Sequence, residues 1–363
     1  GDEQIIHINL EDLKYEGLLE YHALHDYVVT HLCQARQTYV FIDEVQQCKG
    51  FEKAVDSIYI KSGVDLYITG SNATMLSGEL ATLLSGRYIQ IKMLPFSFRE
   101  FCRAREALGP TRKTASDTVL ESRMLFDDYL RFGSFPAIAV LGGDSQEVHA
   151  YLEGIYNTTL IKDVSVHNGI RDVGVLQSIV RFLCSNLGGQ TSINQIAKAI
   201  NKSGRNVSVN TVEGYVDALA QSYLFYRANR FDIRGKQHLK TLGKFFIVDT
   251  GLREFLIGGE TQDMAQLIEN IVYLELLRRN TTVSVGKFDQ KEIDFIASGE
   301  QGVAYYQVAV SVLDSQVLER ELVALSKVKD NHPKYLLTLD ELGRKTNHNG
   351  ILQYNVIDWL LNA

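Results

Sequence analysis

The stretch YVFIDE, residues 39–44, decides the first part of the fold. Its four apolar residues follow one another without polar alternation, which is typical of a parallel strand covered on both faces. The run ends in two carboxylates, Asp43 and Glu44. Because parallel strands bring their carboxyl ends to the ligand crevice of an open α/β sheet, both side chains are predicted to lie at that crevice.

Similar apolar runs lie on either side of this stretch and alternate with segments of helical pattern. The predicted strands cover residues 5–10, 65–70 and 88–93, and the predicted helices cover residues 17–37, 51–62 and 74–84. Strands that alternate with helices favour a parallel sheet. The first part of the chain is therefore predicted to be an α/β domain, over residues 1–95.

The order of the two carboxylates suits phosphate chemistry. An Asp at a strand end can hold magnesium through its water shell, and the next carboxylate can polarise the water that attacks a terminal phosphate. Asp43 and Glu44 thus form a Walker B arrangement. The alternative is a strand end whose carboxylates only cap the following helix.

Three further residues are candidates at the same site. Ser71 and Asn72 follow the next predicted strand, where a polar group can contact the γ-phosphate, although a Gly-Ser-Asn turn is an equally simple interpretation. Arg87 could neutralise charge on the transferring phosphoryl group. Its alternative is a solvated surface arginine.

Several phrases, in order, resemble one family of bacterial and archaeal AAA-type ATPases whose core is fused to a C-terminal domain of unknown function. They are VFIDEVQ, YITGSNATMLSGELATLLSGRY, IKMLPFSFREF, LRFGSFP, YNTTLIKDV, ENIVYLELLRR, EIDFIA and YYQVAVS. The resemblance spans nearly the whole chain. It implies a P-loop NTPase sheet, with ATP and magnesium as cofactors and Asp43, Glu44 and Arg87 as catalytic residues.

Such proteins carry a phosphate-binding loop, GxxxxGK[ST], some tens of residues before the first strand seen here. No Gly-Lys-Ser or Gly-Lys-Thr occurs in the 363 residues, and Gly286-Lys287 is followed by Phe288. Loop amides and the loop lysine hold the phosphates. We therefore expect an N-terminal truncation, a chain that binds ATP weakly or not at all, and a full-length protein that hydrolyses ATP.

Residues 96–260 have a mainly helical pattern and are predicted to form a helical lid and a winged-helix-like region. Helices near residues 192–200 and 209–224, followed by two short strands, give a winged-helix outline. Basic residues are frequent here and could contact DNA phosphates; they are Lys198, Lys202, Arg205, Arg227, Arg230, Arg234, Lys236, Lys240 and Lys244. The alternatives are a solvated helix surface and a protein-contact module.

Residues 261–363 suggest an α/β domain like the restriction endonucleases of the PD-(D/E)xK type. Glu269 or Glu275 on a helix, Glu292 and Asp294 at the start of a strand and Gln307 on the next strand follow the order of that motif. The chemistry needs magnesium held by acidic groups and a lysine to orient water. Glutamine is a poor magnesium ligand and Ala309 stands at the lysine position, so the site is predicted to be degenerate. An ordinary α/β domain with surface acids is the alternative.

Composition narrows the partners. A net charge of -7 does not suggest a general nucleic-acid binder, and any such binding would need a local basic patch. The four cysteines have no paired spacing and no apolar run is long enough for a membrane span, so we expect a cytoplasmic protein without membrane contact. The leading interpretation is an ATP-driven switch acting on DNA, a protein partner or a second copy. The alternatives are a nucleic-acid- or protein-binding module with a vestigial ATPase, and an active nuclease.

Overall fold

The computed structural model describes residues 2–33, 36–70, 87–108, 118–142, 145–158, 164–165, 168–258 and 264–362. The chain divides into two compact units, Gly1–Lys92 and Met93–Ala363. No helix within the described ranges is long and apolar enough to cross a membrane.

The first unit contains a parallel sheet in the order β1 (Ile5–Asn9), β2 (Thr38–Asp43) and β3 (Val64–Ile68). Helices α1 (Tyr21–Thr30) and α2 (Phe51–Tyr59) join the strands. The apolar residues that alternate on β1 and β2 pack against both helices in one core; they include Ile8, Ile42, Leu24, Val28, Phe51 and Ile58. The predicted α/β class and its parallel N-terminal sheet are confirmed.

The strand predicted over residues 88–93 is not formed. Ile89 is 91% exposed and Ile91 is 72% exposed, and residues 88–93 belong to neither sheet formed by the described residues. The pattern alone was insufficient, because a strand is stabilised by hydrogen bonds to a neighbour as well as by its apolar face. The helix predicted over residues 74–84 lies outside the described residues.

The second unit begins with helices. These are α3 (Phe98–Leu108), α4 (Thr118–Phe132), α5 (Pro136–Leu141), α6 (Ser145–Tyr156), α7 (Val173–Ser185), α8 (Ile193–Lys202) and α9 (Val209–Gln221). Ser192 begins α8 as predicted: its hydroxyl accepts from the Gln195 amide, and the Gln195 side chain accepts from the Ser192 amide. This reciprocal capping box satisfies donors that a helix start leaves open.

An eight-stranded mixed sheet follows, in the order β10-β11-β9-β8-β7-β6-β4-β5. Its strands are β4 (Phe225–Asp232), β5 (Gln237–Ile247), β6 (Thr282–Phe288), β7 (Lys291–Gly299), β8 (Gly302–Val308), β9 (Lys334–Thr338), β10 (Asn347–His348) and β11 (Ile351–Asn355). Helices α10 (Thr250–Ile257), α11 (Met264–Arg279), α12 (Ser315–Lys327) and α13 (Val356–Leu361) connect or cover them.

The β4–β5 hairpin pairs through β4 with β6, so strands on both sides of residue 260 share one sheet. One hydrophobic core also runs from Phe98 to Leu360. The divisions predicted after residues 95 and 260 stay predictions. Within the second unit, the stretches before and after residue 260 share one sheet and one core.

A buried carboxylate fastens α4 to the start of α10. Asp249 is 0% exposed, and its carboxylate accepts hydrogen bonds from the Ser134 amide at 2.5 Å, the Ser134 hydroxyl at 2.9 Å and the Leu252 amide at 3.1 Å. Gly133 has φ +91°, and a β-carbon there would overlap the Asp249 carboxylate. The phrase LRFGSFP therefore needs its glycine for this contact.

The end of α11 is held in a similar way. Arg279 donates to the Trp359 carbonyl at 3.1 Å, and its guanidinium lies 4.0 Å from the centroid of the indole ring. Arg278 donates to the Pro95 carbonyl at 2.7 Å. Both arginines also pair with the buried Glu275. The phrase ENIVYLELLRR thus joins the beginning and the end of the second unit.

Candidate functional site

A row of polar side chains follows the three strands of the first unit at their carboxyl ends. Asn9 ends β1 and lies opposite Asp43, which ends β2, and Thr69 directly follows β3. The Thr69 hydroxyl donates to the Asp43 carboxylate, and the Thr69 amide donates to the Ile42 carbonyl at 2.9 Å. The parallel register therefore brings a carboxylate and a hydroxyl together at the sheet edge, as the sequence predicts for Asp43.

Glu44 turns the chain away from the sheet. It has φ 51° and ψ 47°, a left-handed conformation that is uncommon for a residue with a side chain. Its amide donates to the Thr69 hydroxyl at 3.3 Å, and the Val45 amide donates to the Thr69 carbonyl at 3.0 Å. The Gln46 side-chain amide donates to the Glu44 carboxylate. The turn that carries both carboxylates is therefore fixed by the end of the neighbouring strand.

The oxygen atoms at this edge suit magnesium, which prefers carboxylate, hydroxyl and water ligands. Asp43 is the residue that would hold the ion, and Thr69 orients it. Arg87 forms an exposed ion pair with Asp56 of α2, 3.6 Å from nitrogen to oxygen, and no ion pair within the described ranges joins it to Asp43 or Glu44. Its role as an arginine finger stays a prediction. Ser71 and Asn72 lie outside the described residues.

A second polar cluster lies in the second unit and is buried. The Lys244 ammonium, on β5, lies 2.6 Å from a carboxylate oxygen of Glu269 on α11, 2.8 Å from Glu292 and 3.6 Å from Asp294, both on β7. The Lys244 side chain is only 4% exposed. We call these four residues the acid–lysine cluster.

The predicted residues Glu269, Asp294 and Gln307 come together around this cluster. The Gln307 side-chain oxygen accepts from the Asp294 amide at 3.4 Å, and its side-chain amide donates to Glu321 at 2.9 Å. The Asp294 carboxylate accepts from the Val308 amide at 2.9 Å. The arrangement matches the predicted order on the strands, while its assignment to a nuclease-type site stays a prediction.

Burial and mutual repulsion shape the titration of the acid–lysine cluster. Burial, together with the charges of Asp294 and Glu292, raises the pKa of Glu269 to about 8. Burial likewise raises the pKa of Asp294. Although burial alone would lower it, the three carboxylates raise the pKa of Lys244, which keeps its ammonium charged. Among the described residues, no group of three or more acidic, histidine or cysteine side chains is arranged to hold a metal ion.

Comparison with known proteins places the chain. Residues 1–102 match the AAA domain family, and residues 123–263 match a domain of unknown function, DUF8612. An uncharacterized protein of Haemophilus influenzae is 36% identical over 362 residues, which cover 99% of this chain and 87% of that protein. The chain belongs to the same family as this Haemophilus influenzae protein. The uncharacterized protein MJ1544 of Methanocaldococcus jannaschii is 27% identical over 363 residues, covering 97% of this chain and 76% of that protein.

Two solved structures are similar to this chain at low sequence identity. The Walker-type ATPase PABY2304 of Pyrococcus abyssi is 12% identical with a TM-score of 0.40, covering 65% of this chain and 66% of that one. The Aeropyrum pernix Orc1 protein, solved in complex with DNA, is 14% identical with a TM-score of 0.29, covering 71% and 78%.

The sequence did not indicate two residues of these sites, one beside Asp43 and one in the acid–lysine cluster. Thr69 falls within the strand predicted over residues 65–70 and was not a candidate, yet its hydroxyl is the group that contacts Asp43. Lys244 was counted among surface basic residues, yet it is buried against carboxylates. Its signal was the preceding Gly243 and the following apolar run FFIV, which mark an inward-facing position on a covered strand.

The basic stretch of the AAA-domain protein is partly neutralised. Arg205 pairs with Asp172 at 3.5 Å and Arg234 pairs with Asp289 at 3.0 Å, and Lys244 is buried. Helices α8 and α9 and the β4–β5 hairpin have the predicted order. A winged-helix function and DNA binding stay predictions. Fewer of the basic side chains are unpaired and exposed than the sequence indicates.

Proposed function

We propose that the full-length protein binds and hydrolyses MgATP at the carboxyl edge of the β1–β2–β3 sheet. The observation that carries this proposal is the contact between the Thr69 hydroxyl and the Asp43 carboxylate, with Glu44 next in the chain. This contact lies within residues 1–102, which match the AAA domain family. The oxygen donors at the edge are of the kind that hold magnesium beside phosphates.

In this proposal each residue has one task. Asp43 holds magnesium through its water shell and is oriented by Thr69. Glu44 accepts a proton from the water that attacks the γ-phosphate, and its left-handed turn fixes where its carboxylate points. The magnesium, when bound, neutralises charge that develops on the phosphates. Ser71 or Asn72 would sense the γ-phosphate and Arg87 would act as a finger, in the same chain or in a neighbouring copy.

One face of the sheet in the first unit carries exposed apolar and aromatic side chains. Ile5, Tyr39 and Tyr67 are exposed on the sheet face opposite the core formed with α1 and α2. Parallel sheets are normally covered on both faces. The two relatives are longer than this chain, which covers 87% and 76% of them. Because the 363 residues contain no GxxxxGK[ST] loop, we propose that the chain alone binds ATP weakly.

The substitution Glu44→Gln tests the proposal, in a version extended at its N-terminus to include a phosphate-binding loop. Loss of a general base lowers turnover by roughly 100- to 10,000-fold. We expect that loss in a phosphate-release assay, with nucleotide affinity unchanged in calorimetry. Glu16→Gln, at an exposed glutamate of the same unit, is the matched control and should leave turnover unchanged. A normal hydrolysis rate for Glu44→Gln would refute the assignment.

A further inference from the structure

The acid–lysine cluster combines side chains from three separate elements. Lys244 comes from edge strand β5, Glu269 from helix α11, and Glu292 and Asp294 from strand β7. The oxygen atoms converge on one point, and the Lys244 ammonium occupies it at 2.6, 2.8 and 3.6 Å. A buried lysine is stable only when opposite charges and hydrogen bonds compensate its lost hydration.

We propose that the Lys244 ammonium is the resident cation of this cluster, in the place that a divalent metal ion would take, and that the cluster is a metal-free charge lock. The lock fastens the β4–β5 hairpin to α11 and β7. This inference does not depend on the proposed ATPase activity, because every residue in it belongs to the second unit.

The geometry opposes a metal ion at this point. Magnesium binds oxygen at about 2.1 Å and needs near-ideal octahedral geometry, whereas the point where the carboxylates meet already holds an ammonium group. A magnesium ion at this point would lie against the positively charged Lys244 ammonium, and two positive charges in contact repel strongly in a buried site. Asp294 also accepts a hydrogen bond from the Val308 amide, and Ala309, directly after β8, has only a methyl group and cannot act as the lysine.

A glycine-containing loop closes over the same side chains. Gly188 has φ +68°, and a β-carbon there would lie 3.0 Å from a Glu269 carboxylate oxygen. The Gly188 amide donates to the Phe245 carbonyl at 3.1 Å, and the Gln190 side-chain amide donates to Glu292. The loop after α7 is therefore part of the lock, and it leaves little room beside Glu269 for an ion with its water shell.

The test compares thermal unfolding of the wild-type chain and Lys244→Met, with and without millimolar Mn²⁺. Methionine keeps most of the unbranched side chain, one atom shorter than lysine, and removes its charge. Removing one partner of a buried ion pair strands the other charges, so we expect the melting temperature of Lys244→Met to fall by roughly 10 °C. Mn²⁺ should restore several degrees in Lys244→Met by entering the vacated point, and should leave the wild-type melting temperature unchanged.

Two further variants complete the design. Lys291→Met, at an exposed lysine that begins β7, is the matched control and should show neither effect. Lys244→Met combined with Glu269→Gln removes one of the buried carboxyl groups left without the ammonium and should be more stable than Lys244→Met alone. This comparison also applies if Lys244→Met fails to fold.

Results of three kinds would overturn the proposal. The first is a Lys244→Met protein as stable as the wild type, or a double variant no more stable than Lys244→Met. The second is a Lys244→Met protein whose melting temperature Mn²⁺ does not raise, which would show that the lysine does not stand in a cation site. The third is saturable Mn²⁺ binding to the wild type that Asp294→Asn abolishes, which would make the cluster a metal site.

Discussion

Replacing Asp249 by alanine should strongly destabilise the second unit. The carboxylate is fully buried and accepts from the Ser134 amide, the Ser134 hydroxyl and the Leu252 amide. Loss of the helix cap costs about 1 kcal/mol, and each buried donor left unsatisfied at Ser134 costs about 1–3 kcal/mol. Burial also raises the pKa of Asp249, so the buried carboxylate itself carries a penalty. We therefore expect a net loss near the lower end, about 3 kcal/mol.

Urea unfolding followed by tryptophan fluorescence measures this loss, because Trp359 is the single tryptophan and lies in the second unit. Asp314→Ala is the matched control: Asp314 also caps a helix, α12, but it is exposed, so about 1 kcal/mol or less should be lost. Ser134→Ala should cost about 1.5 kcal/mol, and the double variant should cost less than the sum because both changes remove the same contact. An Asp249→Ala protein no less stable than Asp314→Ala, or strict additivity, would refute this account.

Two other predictions concern the acid–lysine cluster and the contact between Thr69 and Asp43. The pKa of Glu269 is about 8 in the folded protein, above its ordinary value of 4.5. Between these pH values the folded state retains a proton that the unfolded state releases. Wild-type stability should therefore fall as pH rises through this interval. Glu269→Gln should flatten that fall by at least about 1 kcal/mol, as measured by urea unfolding at pH 5 and about pH 8; parallel pH profiles would contradict it. Thr69→Val keeps the branched side chain but removes the hydroxyl that contacts Asp43, so hydrolysis by the loop-containing protein should fall roughly 10- to 100-fold with little change in melting temperature; full activity would show that Thr69 does not orient Asp43.

The first unit was largely predictable because its signals are local. A continuous apolar run that ends in Asp43 and Glu44 predicts a parallel strand and the end of the sheet at which the carboxylates lie. The predicted cover on both faces is not seen among the described residues, because β2 buries alternate side chains and leaves Tyr39 exposed. The strand expected over residues 88–93 shows the limit of the same reasoning. Apolar alternation describes one strand, whereas pairing depends on a neighbour that no local pattern specifies.

The acid–lysine cluster was only half predictable. The order of Glu269, Asp294 and Gln307 along the chain indicated that they share a site, and the structure brings them together. The lysine was expected two residues after Gln307, where Ala309 stands, and instead comes from β5. Its contacts span 25 to 50 residues of sequence, so they depend on sheet order rather than on motif spacing.

Calorimetric titration with ATP and magnesium, on the 363-residue chain and on a version extended to include a phosphate-binding loop, shows whether nucleotide binding requires that loop. We predict saturable binding by the extended protein and weak or no binding by the chain alone, because Asp43 and Glu44 lack the amides and lysine that hold the phosphates. Absence of binding by both proteins would contradict this prediction and would leave the second unit as the place where function resides.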